Sequence, residues 1–544
     1  MVSKREHLDR WGKVKSQTPH MHAVRESYSP IVPLRQANEG FQLRKVRSHQ
    51  PEEPDQERGL AKGNVDCPPT TGTQRPDSRV SRGLIGVREA AERDGQLRFT
   101  ALLHHITVDR LTNSFMNLRR DAAPGIDDVR WKQYRQGLEG RLTDLHNRIH
   151  CGSYRAQPCK RSRIAKENGR TRLLGISALE DKIVQHALGE VLNQVYEVDF
   201  MGFSYGFRPC RSQHRALDAL WVALVEEPVN WVLDMDIKGF FDHIQHDWLL
   251  RFIEHRVADK RVHRLIKKWL RAGISEQGQW QSLNEGTPQG AVISPLLANI
   301  YLHYVFDLWA HKWRRSDALG KVVIVRYADD IIMGFEHKAE AERFSKEVAD
   351  RLGNFGLQLN PDKTHLIEFG RHAAHNRRKR GGGKPETFDF LGFTHICSFD
   401  RGGKYTVQRK TKSKKIKGKL KELKAEIRRR YHQPVPVQGK WIKSAYQGFV
   451  NYFAVPGNMP PLKSFHHHLC RIWLKALRRR SQKGRKLTWE KFGTIYPKWL
   501  PHPRCKHPWP NQRFGRQYPR QEPYAVVPHV RVCTGGVSQG IFLP

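Results

Sequence analysis

The sequence predicts an α+β fold in which helices cover one face of a β-sheet, followed by an all-helical region. Three observations support this prediction. Between residues 85 and 400, short apolar runs typical of strands alternate with longer stretches of helical periodicity. Two acidic segments in this region stand where predicted strands end. Beyond residue 436, apolar residues recur with helical spacing.

The charge of the chain indicates the kind of molecule that the protein binds. Its 544 residues include 95 Lys or Arg against 54 Asp or Glu, for a formal net charge of +41. This excess goes beyond the needs of solubility and is typical of a protein that lies along a phosphate backbone. Membrane-surface binding is the alternative, but no long amphipathic basic helix dominates, and no run approaches the roughly 18 apolar residues of a membrane span. We therefore expect a nucleic-acid partner and no membrane partner.

Composition changes along the chain predict five segments. Residues 1–84 are polar, without a sustained apolar period, and are expected to form a flexible extension. Residues 85–400 carry the α+β pattern. They are followed by a basic connector at 401–435, a helical region at 436–510 and an irregular tail at 511–544.

Two features of the sequence favour a cytoplasmic protein of bacterial type. The N-terminus has no apolar segment of the kind found in secretory signals. The eight cysteines occur singly, which favours a reducing compartment over a disulfide framework or a zinc knuckle. Three consecutive histidines at 466–468 could bind a metal, although a surface cluster on a basic, RNA-facing helix is the simpler interpretation.

The first acidic feature lies in a predicted strand-turn-strand at 322–335. Asp329 and Asp330 stand between two apolar runs that are rich in β-branched residues. Because a buried carboxylate is costly unless it is paired or binds a metal, two adjacent carboxylates at the tip of a buried hairpin indicate a cation site. Asp is also common in turns, so ordinary turn residues are the alternative interpretation.

The second acidic feature, at 231–242, predicts a strand that ends in a glycine turn and continues into a helix. Alternate side chains of a strand share a face, so the pattern alone does not choose between Asp234 and Asp236. A single Asp at a strand end is usually a cap or a turn residue. Since the hairpin at 322–335 also carries acidic residues at a strand end, we expect the two features to form one site.

A basic segment and a glycine-rich loop accompany the acidic features. The segment at 161–177 resembles a hairpin and suits a clamp on a triphosphate or a template backbone, whereas a solvated basic edge strand is the alternative. Its basic residues are Arg161, Arg163, Lys166, Arg170 and Arg172. The loop at 286–290 contains glycines that allow a ligand to approach the backbone closely.

The rest of the chain predicts further strands and a basic helical region. Short strands are predicted at 357–359 and 388–393. Residues 401–430 hold 14 Lys or Arg against two Glu, which indicates a segment that follows phosphates. The predicted helices at 441–453 and 469–480 interleave aromatic with basic residues, which suits stacking on unpaired bases, although the core of a helix bundle is the simpler role for most of these aromatics.

Three acidic positions at two strand ends, with a basic clamp and a glycine-rich loop, fit two-metal nucleotidyl transfer. Two divalent ions roughly 4 Å apart can activate an attacking 3′-hydroxyl and stabilise the leaving pyrophosphate. Hard oxygen ligands select Mg²⁺, which also binds the incoming triphosphate. We therefore expect Mg²⁺ as the cofactor.

Five motifs resemble, in order and spacing, the reverse transcriptase blocks of group II intron-encoded proteins. They are Asp-Ile-Lys-Gly-Phe-Phe-Asp at 236–242, Gly-Thr-Pro-Gln-Gly at 286–290, Tyr-Ala-Asp-Asp at 327–330 after Arg326, Asn-Pro-Asp-Lys at 360–363 and Phe-Leu-Gly-Phe at 390–393. The segments at 446–458 and 478–483 resemble the thumb and maturase (X) domain of that family. The resemblance covers about residues 95 to 515 of the chain.

This resemblance implies roles for individual residues. Asp236, Asp329 and Asp330 would be the catalytic carboxylates and the metal ligands, which favours Asp236 over Asp234. Phe241 would be the steric gate that clashes with a ribose 2′-hydroxyl and so selects deoxynucleotides. The other implied residues are Arg170 and Arg172 at the triphosphate, Gln289 near the nascent base pair and Lys363 as a proton donor to the leaving group.

The resemblance also implies a right-hand reverse transcriptase fold of fingers and palm, followed by an α-helical thumb and maturase domain. It implies RNA-directed DNA synthesis, binding of the parent group II intron RNA to promote splicing, and intron mobility by target-primed reverse transcription. The expected partners are intron RNA, an RNA template, a DNA primer or target, dNTPs and, as one assembly, a second copy of the chain in a homodimer. The basic residues assigned to RNA binding are Lys412, Lys414, Lys415, Arg478, Arg479 and Arg480.

Two departures from the family pattern and two rival functions remain. The clamp segment at 172–177 lacks two prolines that are common in the family, and the C-terminal part shows no His and Cys-pair cluster of an HNH endonuclease, so a DNA nick would come from other machinery. The first rival is a non-catalytic splicing factor with a fossil polymerase domain, against which the intact acidic motifs argue. The second is a reverse transcriptase recruited to defence or diversification, against which the maturase-like segments argue.

Overall fold

The computed structural model describes residues 82–165 and 171–517. The predicted extension up to residue 81, the tail beyond 517 and Arg170 lie outside these residues. In the described part, the helices are α1 Arg82–Arg93, α2 Val108–Asn117, α3 Trp131–Tyr134, α4 Leu138–His150, α5 Leu179–Asp199, α6 Gln213–Glu226, α7 His246–Glu254, α8 Lys260–Arg271, α9 Ser294–Leu302, α10 Leu308–Ser316, α11 Lys338–Gly353, α12 Ala373–Lys379, α13 Ser413–Arg429, α14 Val435–Phe453, α15 Met459–Arg480, α16 Gln482–Arg485, α17 Trp489–Gly493 and α18 Pro510–Gln517.

Eleven strands of the described part form three sheets. The strands are β1 Cys159–Ala165, β2 Thr171–Ile176, β3 Trp231–Asp236, β4 Ile274–Glu276, β5 Gln279–Gln281, β6 Val322–Tyr327, β7 Asp330–Phe335, β8 His365–Glu368, β9 Phe388–Phe390, β10 Phe393–Phe399 and β11 Tyr405–Thr411. The sheet orders are β2-β1-β4-β5, β6-β7-β3-β8 and β11-β10-β9. The predicted mixture of α and β structure is thus confirmed.

The sheet β6-β7-β3-β8 is antiparallel throughout and positions the acidic features. Strand β6 is buried over its first five residues, and β7 over its last five, as their β-branched and apolar composition predicts. Helices α6 and α11 pack against this sheet. The register places Asp236 of β3 opposite Asp330 of β7, so the two acidic features meet at one end of the sheet.

Two predicted strands differ from the observed ones. At 357–359, only Leu359 forms a bridge, to Ile237, because the Leu357 amide donates to the Leu352 carbonyl and so completes the C-terminus of α11. The strand that forms in this part of the chain is β8, His365–Glu368, which contains only two apolar residues. The segment 388–393 is a hairpin rather than one strand, since Leu391 and Gly392 adopt positive φ angles of 46° and 83° between β9 and β10.

The segments predicted as a basic connector and an irregular tail contain regular structure. Residues 401–435 include β11, which pairs along its whole length with β10, and the basic helix α13. The predicted tail at 511–544 begins with helix α18, which packs on α6, and Arg513 forms an ion pair with Asp218. Charge and proline content did not reveal this helix, because its order depends on contacts with distant residues.

The helical region packs as a bundle. Helices α13, α14 and α15 bury an apolar core that includes Ile427, Tyr446, Phe465 and Trp473, so these aromatic side chains belong to the bundle core. His466 is also buried, with Nε2 hydrogen-bonded to the Leu500 carbonyl at 2.9 Å. The neighbouring histidines 467 and 468 are exposed, so the predicted surface cluster holds for two of the three.

The cysteine prediction is confirmed in part. Among the described cysteines, five are free thiols: Cys151, Cys159, Cys397, Cys470 and Cys505. Cys210 is disulfide-bonded, which is contrary to the expectation of single thiols. Spacing along the chain does not report which sulfurs meet in space. None of the described helices is long and apolar enough to cross a membrane.

Candidate active site

The tip of the β6–β7 hairpin forms the centre of the site. Tyr327 and Asp330 are directly paired across the two strands, and Ala328 and Asp329 make the two-residue turn between them. Ala328 has φ +58°, a left-handed conformation that costs a residue with a side chain more than it costs glycine. Such strain persists where the surrounding structure over-determines the backbone, and it is concentrated at functional sites.

The buried guanidinium of Arg326 holds this turn in place. Its Nη1 donates to the Ala328 carbonyl at 3.1 Å, and its Nη2 donates to the Ser204 hydroxyl at 2.7 Å. Its Nε and Nη2 also bind both carboxylate oxygens of Asp307, at 2.7 and 2.5 Å, and Nη1 donates to Asn299 at 3.2 Å. Both charged side chains have zero exposure. A planar group with five fixed donors suits this role, which the lysine ammonium cannot reproduce.

Asp307 reaches Arg326 from a π-helical segment, His303–Asp307, that joins α9 to α10. Such segments are rare and often occur at functional sites. Burial raises the pKa of Asp307, and the charge of Arg326 opposes that rise. Sequence reasoning missed Asp307 as a site residue. The available signal was an arginine inside an apolar strand, since a buried charge requires a buried partner.

The loop after α5 packs directly on the β6–β7 hairpin. The Arg326 amide donates to the Phe203 carbonyl at 2.9 Å, and the Tyr205 amide donates to the Arg326 carbonyl at 2.8 Å. Gly206 lies so close to the backbone of Ala328 that a Cβ atom there would overlap the Ala328 nitrogen. This contact explains the glycine in the Ser-Tyr-Gly-Phe segment, to which sequence reasoning assigned no function.

Asp236 faces the hairpin from the end of β3. Its carboxylate accepts two hydrogen bonds from the Lys363 ammonium, at 2.7 and 2.8 Å, and one from the Asn360 side-chain amide at 3.1 Å. The Asn360 amide nitrogen also donates to the Asp236 carbonyl at 2.8 Å. The structure thus brings the Asn-Pro-Asp-Lys motif to Asp236. Asp234 lies two residues earlier on the same strand, opposite Ile332.

The carboxylates of the site repel one another. Loss of water contact and the nearby charges of Asp329 and Asp236 raise the pKa of Asp330 to about 7. Burial, followed by the charges of Asp330 and Asp236, raises the pKa of Asp234 to about 7 as well. Lys363 is the cation that Asp236 contacts. The site therefore carries a surplus of negative oxygen ligands, which is the chemistry that a hard divalent cation neutralises.

The carboxylates are not arranged as a ready-made metal site. Among the described residues, no group of three or more His, Cys, Asp or Glu side chains is placed to hold a metal ion. Lys363 and Asn360 occupy oxygens of Asp236 instead. The donor set therefore fits a divalent cation in its chemistry, and binding one would require the Lys363 ammonium to give up part of its contact with Asp236.

Replacement of Asp234 by Asn tests the electrostatics of the strand end. The pKa of Asp234 is raised from about 3.8 in the unfolded chain to about 7 in the folded one, so the folded state binds more protons between these values and loses stability as pH rises through them. Asp234→Asn removes that loss. In chelator, we expect the variant to have a higher Tm than the parent at pH 8 and no advantage near pH 4. An advantage that persists at pH 4 would contradict the assignment.

A second group of predicted residues lies beside the acidic end of the sheet. Phe241 is buried, and its carbonyl accepts from the Thr287 amide at 2.7 Å, which ties it to the glycine-rich loop. The side-chain amide of Gln289 in that loop donates to both carboxylate oxygens of Asp242, at 3.3 Å each. The Gln289 carbonyl accepts from the Gly175 amide of β2 at 2.7 Å. The structure thus brings Phe241, Gln289 and β2 together.

The basic clamp is described in part. Arg172 lies in β2, with its backbone paired opposite Ile164, and its side chain is outside the description. Arg161 and Arg163 of β1 both form ion pairs with Glu276 of β4, at 3.0 and 2.6 Å. The single Glu276 carboxylate offsets one of these two positive charges, and the residues predicted to contact the triphosphate remain Arg170 and Arg172.

The predicted RNA-binding residues occupy two separate places. Lys412 forms an ion pair with Asp389 at 2.6 Å, next to the hairpin of β9 and β10, while the side chains at 414 and 415 are exposed at the start of α13. At the end of α15, Arg478 donates to the Leu487 carbonyl at 2.7 Å. Arg479 is exposed and Arg480 half-buried. Their role in RNA binding remains a prediction.

Comparison with known proteins agrees with this geometry. Residues 164–395 match the family described as reverse transcriptase (RNA-dependent DNA polymerase). Protein YkfC of Escherichia coli is 33% identical over 311 residues, which cover 51% of this chain and 81% of YkfC. The group II intron-encoded protein LtrA of Lactococcus lactis is 39% identical over 34% of this chain and 28% of LtrA. An uncharacterized 91 kDa protein in the cob intron of Schizosaccharomyces pombe is 41% identical over 42% of this chain and 29% of its own length.

The fold and the site define a nucleic-acid polymerase of the reverse transcriptase class, whose members are RNA-directed DNA polymerases. The chain belongs to the group II intron reverse transcriptase and maturase family. The matched segment spans less than a third of LtrA and of the cob-intron protein. Activities that those whole proteins carry therefore come to this chain only as proposals.

Proposed function

We propose that this protein is a Mg²⁺-dependent reverse transcriptase that extends a DNA primer with dNTPs on an RNA template. The observation that carries the proposal is the pairing of Asp236 with Asp330 at one end of a buried sheet. Asp329 lies in the adjoining turn, and Phe241 and Gln289 lie on the neighbouring glycine-rich loop and its contact segment. Nucleotidyl transfer requires carboxylates that can bind metal ions. It also requires a place where a nucleotide can come close to the backbone, which glycine residues allow.

The proposed metal ligands are Asp236, Asp329 and Asp330. When bound there, Mg²⁺ would lower the pKa of the primer 3′-hydroxyl and neutralise charge on the pyrophosphate. Arg326 and Asp307 keep the turn that carries Asp329 in one conformation. Lys363, whose ammonium is 2.7 Å from Asp236, is the proposed proton donor to the leaving group. Arg170 and Arg172 would contact the triphosphate.

Phe241 is the proposed sugar gate. The Phe241→Ala variant removes the ring that would clash with a 2′-hydroxyl, so we expect NTP incorporation to rise by roughly 10- to 100-fold relative to dNTP, in line with the discrimination that one apolar contact supplies. The measurement is single-nucleotide extension with each substrate over a range of concentrations. The larger Phe241→Trp variant should keep NTPs excluded. An unchanged ratio in Phe241→Ala would show that another side chain sets the selectivity.

We also propose that the protein binds its parent group II intron RNA, promotes splicing and supports mobility by target-primed reverse transcription. The basic residues at 412–415 and 478–480 are the proposed contacts, and phosphate contacts make binding depend steeply on salt. Equal affinity for the intron and for an unrelated RNA of the same length would contradict the maturase role.

Primer extension tests the polymerase proposal directly. The full chain is incubated with a DNA primer annealed to an RNA template, the four dNTPs and Mg²⁺. We expect full-length cDNA, no product after chelation of the metal, and restored synthesis when Mg²⁺ is returned. A folded, RNA-binding protein that makes no product under these conditions would instead be the splicing factor with a fossil polymerase domain.

A further inference from the structure

Helix α8, Lys260–Arg271, is strongly amphipathic and lies outside the candidate active site. Half of its twelve residues are Lys or Arg, and none is acidic. Its other side is apolar and packs in the interior. The buried residues are Val262, His263, Leu265, Ile266, Trp269 and Leu270, and His263 Nε2 is hydrogen-bonded to the Val257 carbonyl at 2.7 Å. None of the proposed functions involves this helix, and none of the five family motifs lies in it.

Four basic side chains of α8, namely Lys260, Arg264, Lys267 and Arg271, are exposed and form the α8 basic row. Within the described part of the chain, none has a carboxylate within ion-pairing distance. The other two basic residues are already engaged: Arg261 pairs with Asp259 at 3.2 Å, and Lys268 donates to the Gly152 carbonyl at 2.9 Å.

The surroundings add to this positive potential instead of neutralising it. Arg155, from the segment before β1, is exposed and lies close enough to matter electrostatically. Burial, then the charges of Arg264 and Arg155, lower the pKa of Lys268. By contrast, basic side chains on two other helices have acidic partners on the same helix: Lys338 pairs with Glu342 on α11, and Lys419 pairs with Glu422 on α13.

Like charges three or four residues apart on a helix destabilise it. The α8 basic row holds such neighbours along its entire length, without acidic residues to offset them. A row of this kind reduces the stability of the free protein and is favourable only when a polyanion covers it. At a rise of about 1.5 Å per residue, the row extends about 16 Å, which is long enough to contact several phosphates of a nucleic acid.

The row faces away from the site of synthesis. On the buried side of α8, Trp269 and Leu270 line a small cavity together with Thr287 and Pro288 of the glycine-rich loop. The apolar side therefore points toward the loop that bears Gln289, and the basic row points to the opposite side. Trp269 is also internal, with Nε1 donating to the Tyr154 hydroxyl at 2.9 Å. Helix α8 itself exposes no aromatic side chain, whereas Trp280 of β5 is exposed just beyond its C-terminus, with Nε1 donating to the Ala272 carbonyl at 2.9 Å.

We propose that the α8 basic row binds the phosphate backbone of a folded RNA, at a surface separate from the primer–template track. Four cations in line along α8 suit paired RNA, which proteins recognise through shape and phosphates. The identification of this RNA as the intron rests on the proposed maturase function. The surface deepens that function, because it gives the RNA a second contact besides the residues at 412–415 and 478–480.

The test compares two full-length variants that lose the same charge. One is R264Q/K267Q/R271Q in the row. The control is R88Q/K338Q/R343Q, whose arginines and lysine are exposed but already paired with Glu92, Glu342 and Glu347. Gln keeps helix propensity close to that of Lys and Arg. The probes are a transcript of a group II intron, an RNA of equal length without that fold, and a short RNA template with a DNA primer.

We expect the row variant to bind the intron transcript at least about tenfold more weakly at 0.15 M salt, with a log–log salt slope smaller by about two to three, because each lost phosphate contact contributes roughly 0.7 to 0.9. The control should keep the parental affinity within twofold, and both variants should extend the short primer at the parental rate. This pattern would establish the surface.

Other patterns would overturn it. Equal losses in the row variant and the control would show that only bulk charge matters, and parallel loss of primer extension would place the row on the primer–template track. Loss of binding to phosphatidylglycerol vesicles, with RNA binding intact, would make it a membrane surface. If the parental protein itself does not prefer the intron transcript, the proposed maturase function fails, whereas a parental preference that the row variant retains rejects the surface alone.

Discussion

Asp329→Ala is expected to lower primer extension on an RNA template on the order of 10³-fold, equivalent to about 4 kcal/mol of transition-state stabilisation. The carboxylate lies in the two-residue turn between β6 and β7, beside the facing pair of Asp236 and Asp330. Loss of one of three oxygen ligands removes the charge that would hold the metal against the reacting phosphates. Asp330→Asn should have a similar effect. The measurement is single-turnover extension at saturating dNTP.

The variant must be distinguished from an unfolded protein. Asp329 is half-buried and its substitution leaves the buried apolar residues of β6 and β7 in place, so Asp329→Ala should leave the Tm within a few degrees of the parental value. Asp247→Ala, at an exposed position in the first turn of α7, is a matched control that should retain activity. Parental activity in Asp329→Ala would refute the assignment of the site.

The central hairpin was predictable because several local signals agree. β-Branched and apolar residues flank the two aspartates, and both flanks are buried in β6 and β7 as expected. The alternation of side chains predicted Asp234 and Asp236 on the same face of the strand, where both are half-buried, but left the choice between them open. The strand register adds a spatial criterion, because Asp236 is the residue that lies opposite Asp330.

Contacts between distant segments were not predictable in the same way. The ion pair of Lys363 with Asp236 joins residues 127 positions apart, and that of Arg326 with Asp307 joins a strand to a π-helical segment. In neither ion pair does the identity of the partner leave a periodic pattern in the sequence. Strand β8 was missed because its pairing with β3, and not its composition, makes it a strand. Pattern and resemblance therefore identified the acidic positions and Lys363 as candidates, but not the contact of Lys363 with Asp236 or the role of Asp307 as the partner of Arg326.

Asp307→Ala should cause the largest loss of stability of any single change at the site. It leaves the Arg326 guanidinium fully buried without its carboxylate, and breaking a buried ion pair from one side costs about 3–5 kcal/mol. We expect the urea midpoint to fall accordingly with little change in the m-value. Activity should fall as well, because Arg326 would no longer hold the Ala328 carbonyl and the catalytic turn in position.

A double replacement separates the stabilising role of this pair from its positioning role. Asp307→Leu combined with Arg326→Met removes both charges and keeps similar volume, an exchange that is often neutral or stabilising for buried pairs. We expect it to recover much of the stability lost in Asp307→Ala. Primer extension should stay low, because methionine donates no hydrogen bond to the Ala328 carbonyl or to Ser204. Recovery of activity together with stability would show that the pair only supports the fold, and that the catalytic turn keeps its conformation without the guanidinium.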